Sequence, residues 1–244
     1  MSVLVLCGTR EGRDIAQSLQ SRGHDVLASF AQMPRAPVAD GIRVRIGGFG
    51  GADGFRACLR REQVTCVVDA THPFARKIGA RSAALCAGAG IAYCRVLRPA
   101  WTPEAGDTWH SIADESAAAD VIPDGATVFV ATGRGTLDHY ANLRGRYLIV
   151  RQIDPPDMPF IFENGEYLMG KPPFSVFDER KLFEKRKVDW LIVRNAGGAA
   201  SRSKLFAARA LGLPVAMIAR PDAPEAPCVQ TVAQTLAWVR ENDG

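Results

Sequence analysis

The chain has 244 residues, 47% of them hydrophobic and 23% charged, the balance of an ordinary globular protein with one large or two small domains. Its glycines and prolines follow no period and no apolar run reaches the roughly 18 residues of a membrane span, so collagen-like, low-complexity and helical transmembrane classes are excluded. The net charge of +4 is uneven: residues 1–100 carry 14 Lys/Arg against 7 Asp/Glu, and residues 101–244 carry 16 against 19.

Short apolar runs alternate with amphipathic stretches. SVLVLC (2–7) reads as a strand, and GRDIAQSLQSRG (12–23) as a helix with Ile15, Ala16 and Leu19 on one face. HDVLASFA (24–31) and IRVRIGG (42–48) follow as strands, FRACLRREQ (55–63) as a helix, and TCVVDA (65–70) as a strand buried on both faces. FARKIGARSAALCAGAG (74–90) is an Ala-rich helix closed by glycines, and IAYCRVL (91–97) is a fifth strand. Five strands alternating with helices predict an α/β fold with a doubly wound, mostly parallel sheet.

RPAWTPEAGD (98–107) breaks the rhythm with two prolines and a glycine, and reads as a linker over 99–107 between domains 1–98 and 108–244. The second alternation has strands at 126–133, 146–153, 189–198 and 214–221, with TWHSI (108–112) as a short additional strand. Helical patterns lie at 174–187, 201–212 and 229–241. The proline-rich segment 154–174 has no period and reads as a long loop, a type that tends to be functional.

Ligands of parallel α/β sheets bind beyond the carboxyl ends of the strands, which selects five segments. The first is Gly8-Thr9-Arg10-Glu11-Gly12 after strand 1. The full GxGxxG fingerprint is missing, but a glycine turn into a helix start suits an anion. The same spacing serves a plain turn capped by Thr9 equally well. The second, Ser29 to Arg35 after strand 2, has no acidic residue to hold ribose hydroxyls; a small hydroxyl and an arginine favour NADP over NAD. The third, Asp69-Ala70-Thr71-His72-Pro73-Phe74-Ala75, follows the fourth strand. Thr71 can cap the next helix with Pro73 in its first turn; that leaves His72 to give a proton or bind a ligand, and Phe74 to pack on a flat ring. The fourth, Thr132-Gly133-Arg134-Gly135, suits close approach to a carboxylate or phosphate as well as it suits a simple turn. The fifth runs from Arg194 and Asn195 through Gly197 and Gly198 to Ser201 and Lys204, again an anion-binding pattern, with Lys204 otherwise an ordinary surface lysine.

Other chemistries lack a signature. There is no GxSxG elbow and no Walker A loop, and the four histidines lie in separate segments, so no metal site is expected. The six cysteines form no CxxC pair and read as small core residues of a reducing compartment. The first residues have no basic region before their short apolar run, so a cytoplasmic protein is expected. The basic first part suits a polyanion or a scatter of surface charge; no RNP, zinc-finger or basic-helix pattern supports nucleic acid.

At CGTREGRDIA (7–16), DATHPFA (69–75), ATGRGTL (131–137) and RNAGGAASRSKLFAARALGLPVAMIARP (194–221) the sequence resembles the precorrin-6A reductase family. It departs from the family pattern at Cys7, Pro172, Arg194 and Ala196, mostly turn positions. The resemblance implies NADPH-dependent reduction of a macrocycle double bond in precorrin-6A to precorrin-6B, in cobalamin biosynthesis. It also implies two Rossmann-like α/β domains with the ligand cleft between them. It leaves open whether the tetrapyrrole is metal-free or carries cobalt.

On that reading Gly8, Thr9, Arg10, Glu11, Gly12, Ser29, Arg35 and Thr71 hold NADPH. His72, Phe74, Arg76, Lys77, Gly133, Arg134, Arg194, Asn195, Gly197, Gly198, Ser201 and Lys204 face the substrate, with His72 as candidate proton donor and solvent as its rival. No membrane partner is expected, and the sequence sets no oligomeric state, a monomer being compatible with it. Two alternatives stand beside this reading: another NADP-dependent reductase of a smaller anion, and a non-catalytic two-domain protein that clamps an anionic metabolite.

Overall fold

Val3, Val5 and Cys7 face one side of the first strand and Leu4 and Leu6 the other, and all five are buried. A strand covered on both faces needs helices on both sides, which is what the computed structural model contains. It describes residues 2–34, 36–199 and 201–242 and, for Arg134, the backbone only. None of the described helices is long and apolar enough to cross a membrane. The chain forms two compact units, Met1–Pro99 with Pro221–Gly244, and Ala100–Arg220.

The first unit contains β1 (Ser2–Cys7), α1 (Arg10–Gln20), β2 (Asp25–Phe30), β3 (Arg43–Ile46), α2 (Ala52–Arg61), β4 (Cys66–Ala70), α3 (Arg76–Gly88) and β5 (Ala92–Val96). It is completed by β12 (Cys228–Val229) and α6 (Val232–Glu241). All strands are parallel, in the order β12-β5-β4-β1-β2-β3. Ile15, Ala16 and Leu19 of α1 and Val239 of α6 cover one face; Phe55, Cys58 and Leu59 of α2 and Cys86 of α3 cover the other.

The second unit contains β6 (Trp109–Ile112), β7 (Thr127–Val130), β8 (Tyr147–Gln152), β9 (Gly165–Met169), α4 (Val176–Lys185), β10 (Trp190–Arg194), α5 (Ser203–Leu211) and β11 (Val215–Ile218). Its sheet is also wholly parallel, ordered β6-β11-β10-β7-β8-β9. On one face Phe129, Ile149, Leu191 and Val193 meet Phe183 of α4 and Leu205 and Ala208 of α5. Two 3₁₀ segments, Ser116–Asp120 and Arg134–Tyr140, bring the buried Ala118, Leu137 and Tyr140.

Counted from β1 or from β7, each sheet follows the doubly wound order 3-2-1-4-5 and adds a sixth strand. The sixth strands are not consecutive: β6 precedes β7 yet lies beside β11, and β12 comes from the chain's end to lie beside β5. The domain 108–244 expected from the sequence is therefore corrected: it divides at residue 220. Val229, Val232, Leu236 and Trp238 pack on the α1 face, and burying them there decides where the last segment goes.

Two further corrections concern the segments read as linker and loop. The stretch 99–107 has no helix or strand but is well anchored: Trp101 is buried in the second core, and Asp107 accepts from Arg209 at 2.8 Å. Within 154–174, Gly165–Met169 is a strand, in register with Leu148–Gln152. As a half-exposed edge strand it carries no apolar alternation to betray it.

Candidate functional site

In the doubly wound order the chain reverses direction between β1 and β4, and between β7 and β10. Strand carboxyl ends part at these points and leave a crevice. Four of the five sequence-selected segments follow these four strands, so each unit gathers two of them at its own switch point.

In the first unit only Gly8 and Thr9 separate β1 from α1. The Gly8 N–H donates to Ala70 O at 3.1 Å, tying the turn to the end of β4. A Cβ on Gly8 would lie 2.9 Å from both His72 N and Thr71 Cα, so only glycine permits this approach. Gly12 has the same tightness one turn on, where a Cβ would lie 3.1 Å from Ala70 Cβ. Thr9 caps α1: its Oγ1 accepts from the Gly12 N–H at 3.3 Å and donates to Ala70 O at 2.9 Å. The helix start therefore presents backbone donors beside a glycine turn. Arg10 is exposed near Asp14, at 3.7 Å. Glu11 pairs with Arg98 at 2.9 Å; burial alone would raise its carboxyl, but its own backbone N–H and the Arg98 guanidinium outweigh that and hold it below the ordinary range.

Behind the Thr71–His72 loop lies a buried polar network. Asp69 and Arg95 are fully or almost fully buried and 2.5 Å apart. The Tyr93 hydroxyl donates to Asp69 Oδ2 at 2.8 Å, and the Thr71 N–H to Oδ1 at 3.0 Å. Arg95 donates to Thr71 Oγ1 at 2.6 Å and to His72 O at 3.1 Å. Burial and the neighbouring Asp69 raise the Tyr93 hydroxyl, so it stays protonated as a donor. A buried pair with its remaining lone pairs satisfied holds the loop in one conformation. Thr71 consequently does not cap α3, which begins at Arg76 after Ala75 with no side-chain cap.

His72 and Phe74 are both half-buried, with ring centroids 5.8 Å apart. The Phe74 N–H donates to His72 Nδ1 at 3.3 Å, so a neutral His72 carries its proton on Nε2. Arg76 and Lys77 are exposed in the first turn of α3. Ser29 lies near the carboxyl end of β2, buried, and Arg45 of β3 donates to its Oγ at 3.3 Å. Arg35 lies outside the described residues, as does the Arg134 side chain.

The second switch point is built differently. Gly133, at a φ of 77°, leads from β7 into the 3₁₀ segment. Thr132 Oγ1 lies 3.0 Å from the Tyr140 hydroxyl. Gly197 and Gly198 are both left-handed, which lets the chain turn sharply after β10. Arg194 contacts Glu115 through Nε at 2.9 Å and Nη2 at 2.6 Å.

Two residues expected at the substrate surface are engaged otherwise. The Asn195 amide accepts from Trp101 N at 2.8 Å and donates to Trp101 O at 2.9 Å, fixing the 99–107 stretch. Lys204 is buried rather than on the helix surface, and its Nζ donates to Ser201 O at 2.7 Å. Burial brings the ammonium down to about 8, with nearby Arg151 adding to the fall and Glu179 opposing it. Ser201 itself is exposed.

Sheet order and glycine turns do not identify a substrate, but the whole chain has relatives. The family model described as precorrin-6x reductase CbiJ/CobK matches residues 2–240. The chain belongs to the precorrin-6x reductase family. A curated precorrin-6A reductase of Rhodococcus erythropolis is 42% identical over 243 residues, covering 97% of this chain and 96% of its own length. That of Rhodobacter capsulatus is 37% identical, with 98% and 96% covered. A cobalt-precorrin-6A reductase of Methanothermobacter thermautotrophicus is 27% identical, with 91% and 77% covered. A solved structure described as CobK precorrin-6A reductase has a TM-score of 0.91 and 37% identity, covering 99% of this chain and 97% of its own.

As a precorrin-6x reductase the chain is an oxidoreductase acting on a CH–CH group. Around the motifs of this reductase stand residues that sequence patterns did not single out: Tyr93, Arg95, Arg98, Arg45 and Glu115. Arg95 carried one usable signal, a cation inside the apolar run IAYCRVL matching an aspartate inside TCVVDA. Charges in buried strands need each other, so the two imply paired neighbours. Glu115 carried none, since its contact with Arg194 spans 79 positions.

Proposed function

We propose that the protein reduces one ring double bond of precorrin-6A to give precorrin-6B, with NADPH as electron donor, in cobalamin biosynthesis. The observation that carries this reading is the family match across residues 2–240, against which the β1–α1 turn is a fitting dinucleotide cradle. The fit rests on Gly8, whose missing Cβ lets the β1–α1 turn close directly onto the Thr71–His72 backbone at the end of β4. Gly8 to Gly12 would hold the pyrophosphate, Ser29 the ribose end, and Thr71 the inner part of the cofactor. When bound, NADPH supplies a hydride to one carbon of the conjugated system.

His72, as an imidazolium protonated from solvent at Nδ1 in place of the Phe74 N–H bond, gives from Nε2 the proton that the neighbouring carbon needs and is left neutral. Phe74 offers an apolar ring to the macrocycle. Arg76, Lys77, Arg134 and Arg194 answer its carboxylates, the backbone of Gly133, Gly197 and Gly198 allows close approach, and exposed Ser201 adds a hydroxyl. Asn195 and Lys204 shape the same loop from behind. Greater likeness to relatives named precorrin-6A reductases than to those named cobalt-precorrin-6A reductases favours a metal-free macrocycle.

The test is incubation with precorrin-6A and NADPH, followed by absorption. The expected outcome is loss of conjugation with matching NADPH consumption; binding without oxidation, or no response, sinks the reading. His72→Ala is expected to lower turnover at saturating substrate by about 10²-fold or more, the usual scale for a positioned acid. Undiminished turnover removes His72 from catalysis and leaves solvent as the donor.

A further inference from the structure

The carboxyl ends of β2 and β3 lie side by side, with Ser29 and Arg45 as register partners. Arg45 is half-buried and rigidly held. Its guanidinium lies 3.8 Å above the Phe49 ring. Nη1 donates to Gly47 O at 2.6 Å and to Ser29 Oγ at 3.3 Å, and Nη2 donates to Gly48 O at 2.6 Å. Those three bonds engage the end of the fork. Nε–H and the second Nη2–H, which form the side edge, have no hydrogen-bond partner among the described residues. That edge is the one that matches two oxygens of a phosphate.

Arg45 also has no carboxylate. Its strand neighbour Arg43 pairs with Asp25 and Glu62, whereas Arg45 forms no ion pair among the described residues. The chain after β2 reads Ala31-Gln32-Met33-Pro34, with no acid to hold a 2′-hydroxyl. The glycine-rich loop after β3 is open: a Cβ on Gly47, Gly48, Gly50 or Gly51 would meet nothing within 4 Å.

We propose that Arg45 is the residue that selects NADPH over NADH, its Nε/Nη2 edge taking the 2′-phosphate beside the Ser29 hydroxyl. This rests on the reading of the protein as an NADPH-dependent reductase, and it moves the selecting charge from Arg35 to β3. Phe49 and the two glycine carbonyls fix the fork beforehand, so little freedom is lost when phosphate binds.

The experiment is calorimetric titration of the purified protein with NADP⁺ and NAD⁺, for the unsubstituted chain, Arg45→Gln, Arg45→Lys and Arg35→Gln. Arg45→Gln is expected to weaken NADP⁺ by about tenfold or more and NAD⁺ by less than about twofold, NAD⁺ binding reporting that the site still folds. Arg45→Lys keeps the charge without the fork and falls between. Arg45→Gln with its NADP⁺ preference intact overturns the proposal, as does loss of preference in Arg35→Gln alone. Equal affinity of the unsubstituted protein for NADP⁺ and NAD⁺ overturns both the NADPH reading and this assignment, so the two failures are told apart.

Discussion

At the first switch point β1 runs into an α-helix after two residues; at the second, its counterpart β7 runs through a left-handed glycine into a 3₁₀ segment. The sheets have the same order, so the difference lies in the turns. An α-helix start aligns several free N–H groups on one point, which suits a pyrophosphate. A 3₁₀ segment with a non-helical Thr136 inside does not align them so. The buried cations differ as well. Arg95 has Asp69 to itself, with Tyr93 and Thr71 completing the carboxylate. Lys204 lies near Glu179, whose two oxygens are taken by Arg151 at 2.7 and 2.8 Å. One sheet order thus carries two different buried charge clusters, a closed Asp69–Arg95 pair in one unit and two cations around the Glu179 carboxylate in the other.

Five substitutions sharpen or break that contrast. The largest effect is expected for Arg95→Met, which leaves Asp69 buried without its cation and costs about 3–5 kcal/mol of stability. Arg194→Met leaves the buried Glu115 without its guanidinium at a pair less deeply enclosed than the first, and costs less, about 1–3 kcal/mol. Chemical denaturation of both variants measures the gap, and equal losses would show that the two pairs are equivalent.

The next effect compares glycines. Gly8→Ala forces a Cβ to within 2.9 Å of backbone atoms, costs about 1–3 kcal/mol, and abolishes NADP⁺ binding detectable by calorimetry. Gly133→Ala meets no atom within 4 Å, so only its φ of +77° opposes it, by roughly 1–2 kcal/mol, and NADP⁺ affinity is retained. NADP⁺ binding lost in Gly133→Ala instead would move the cofactor to the second unit.

The last contrast is one of pH. Burial lowers the Lys204 ammonium from 10.5 to about 8. Between those values the unfolded chain holds a proton that the folded chain has released, so stability rises with pH through this window. Below pH 8 the charged, desolvated form is a standing penalty. Lys204→Met is expected to equal or exceed the unsubstituted protein in stability at pH 7 and to lose that advantage, on the order of 1–3 kcal/mol, between pH 8 and pH 10.5. Parallel stability–pH curves would place the ammonium in a less buried setting.

Much of the fold is legible in the sequence. Continuous apolar runs such as TCVVDA, and helices with Ile15, Ala16 and Leu19 on one face, place most strands and helices because burial imposes their periods locally. Of the candidate site, the turns after β1, β4, β7 and β10 are legible too, because glycines and polar clusters interrupt apolar strands there. Edge strand β9, half-exposed and without alternation, leaves no such mark. Thr71, Asn195 and Lys204 were visible as residues, but not their partners.

What the sequence determined by itself is therefore local: which segments are strands, where they end, and which chemistry can gather at their ends. The tertiary structure decided what depends on distant pairs. It sent residues 228–241 back to the first unit, because the sixth strand and the α1 face are completed there. It joined Asp69 to Arg95 across two strands and Arg194 to Glu115 across 79 positions. It also set Arg45, rather than any residue adjacent in sequence, beside Ser29. Parallel pairing joins segments that are remote along the chain, and no local pattern records which neighbour a buried charge will meet.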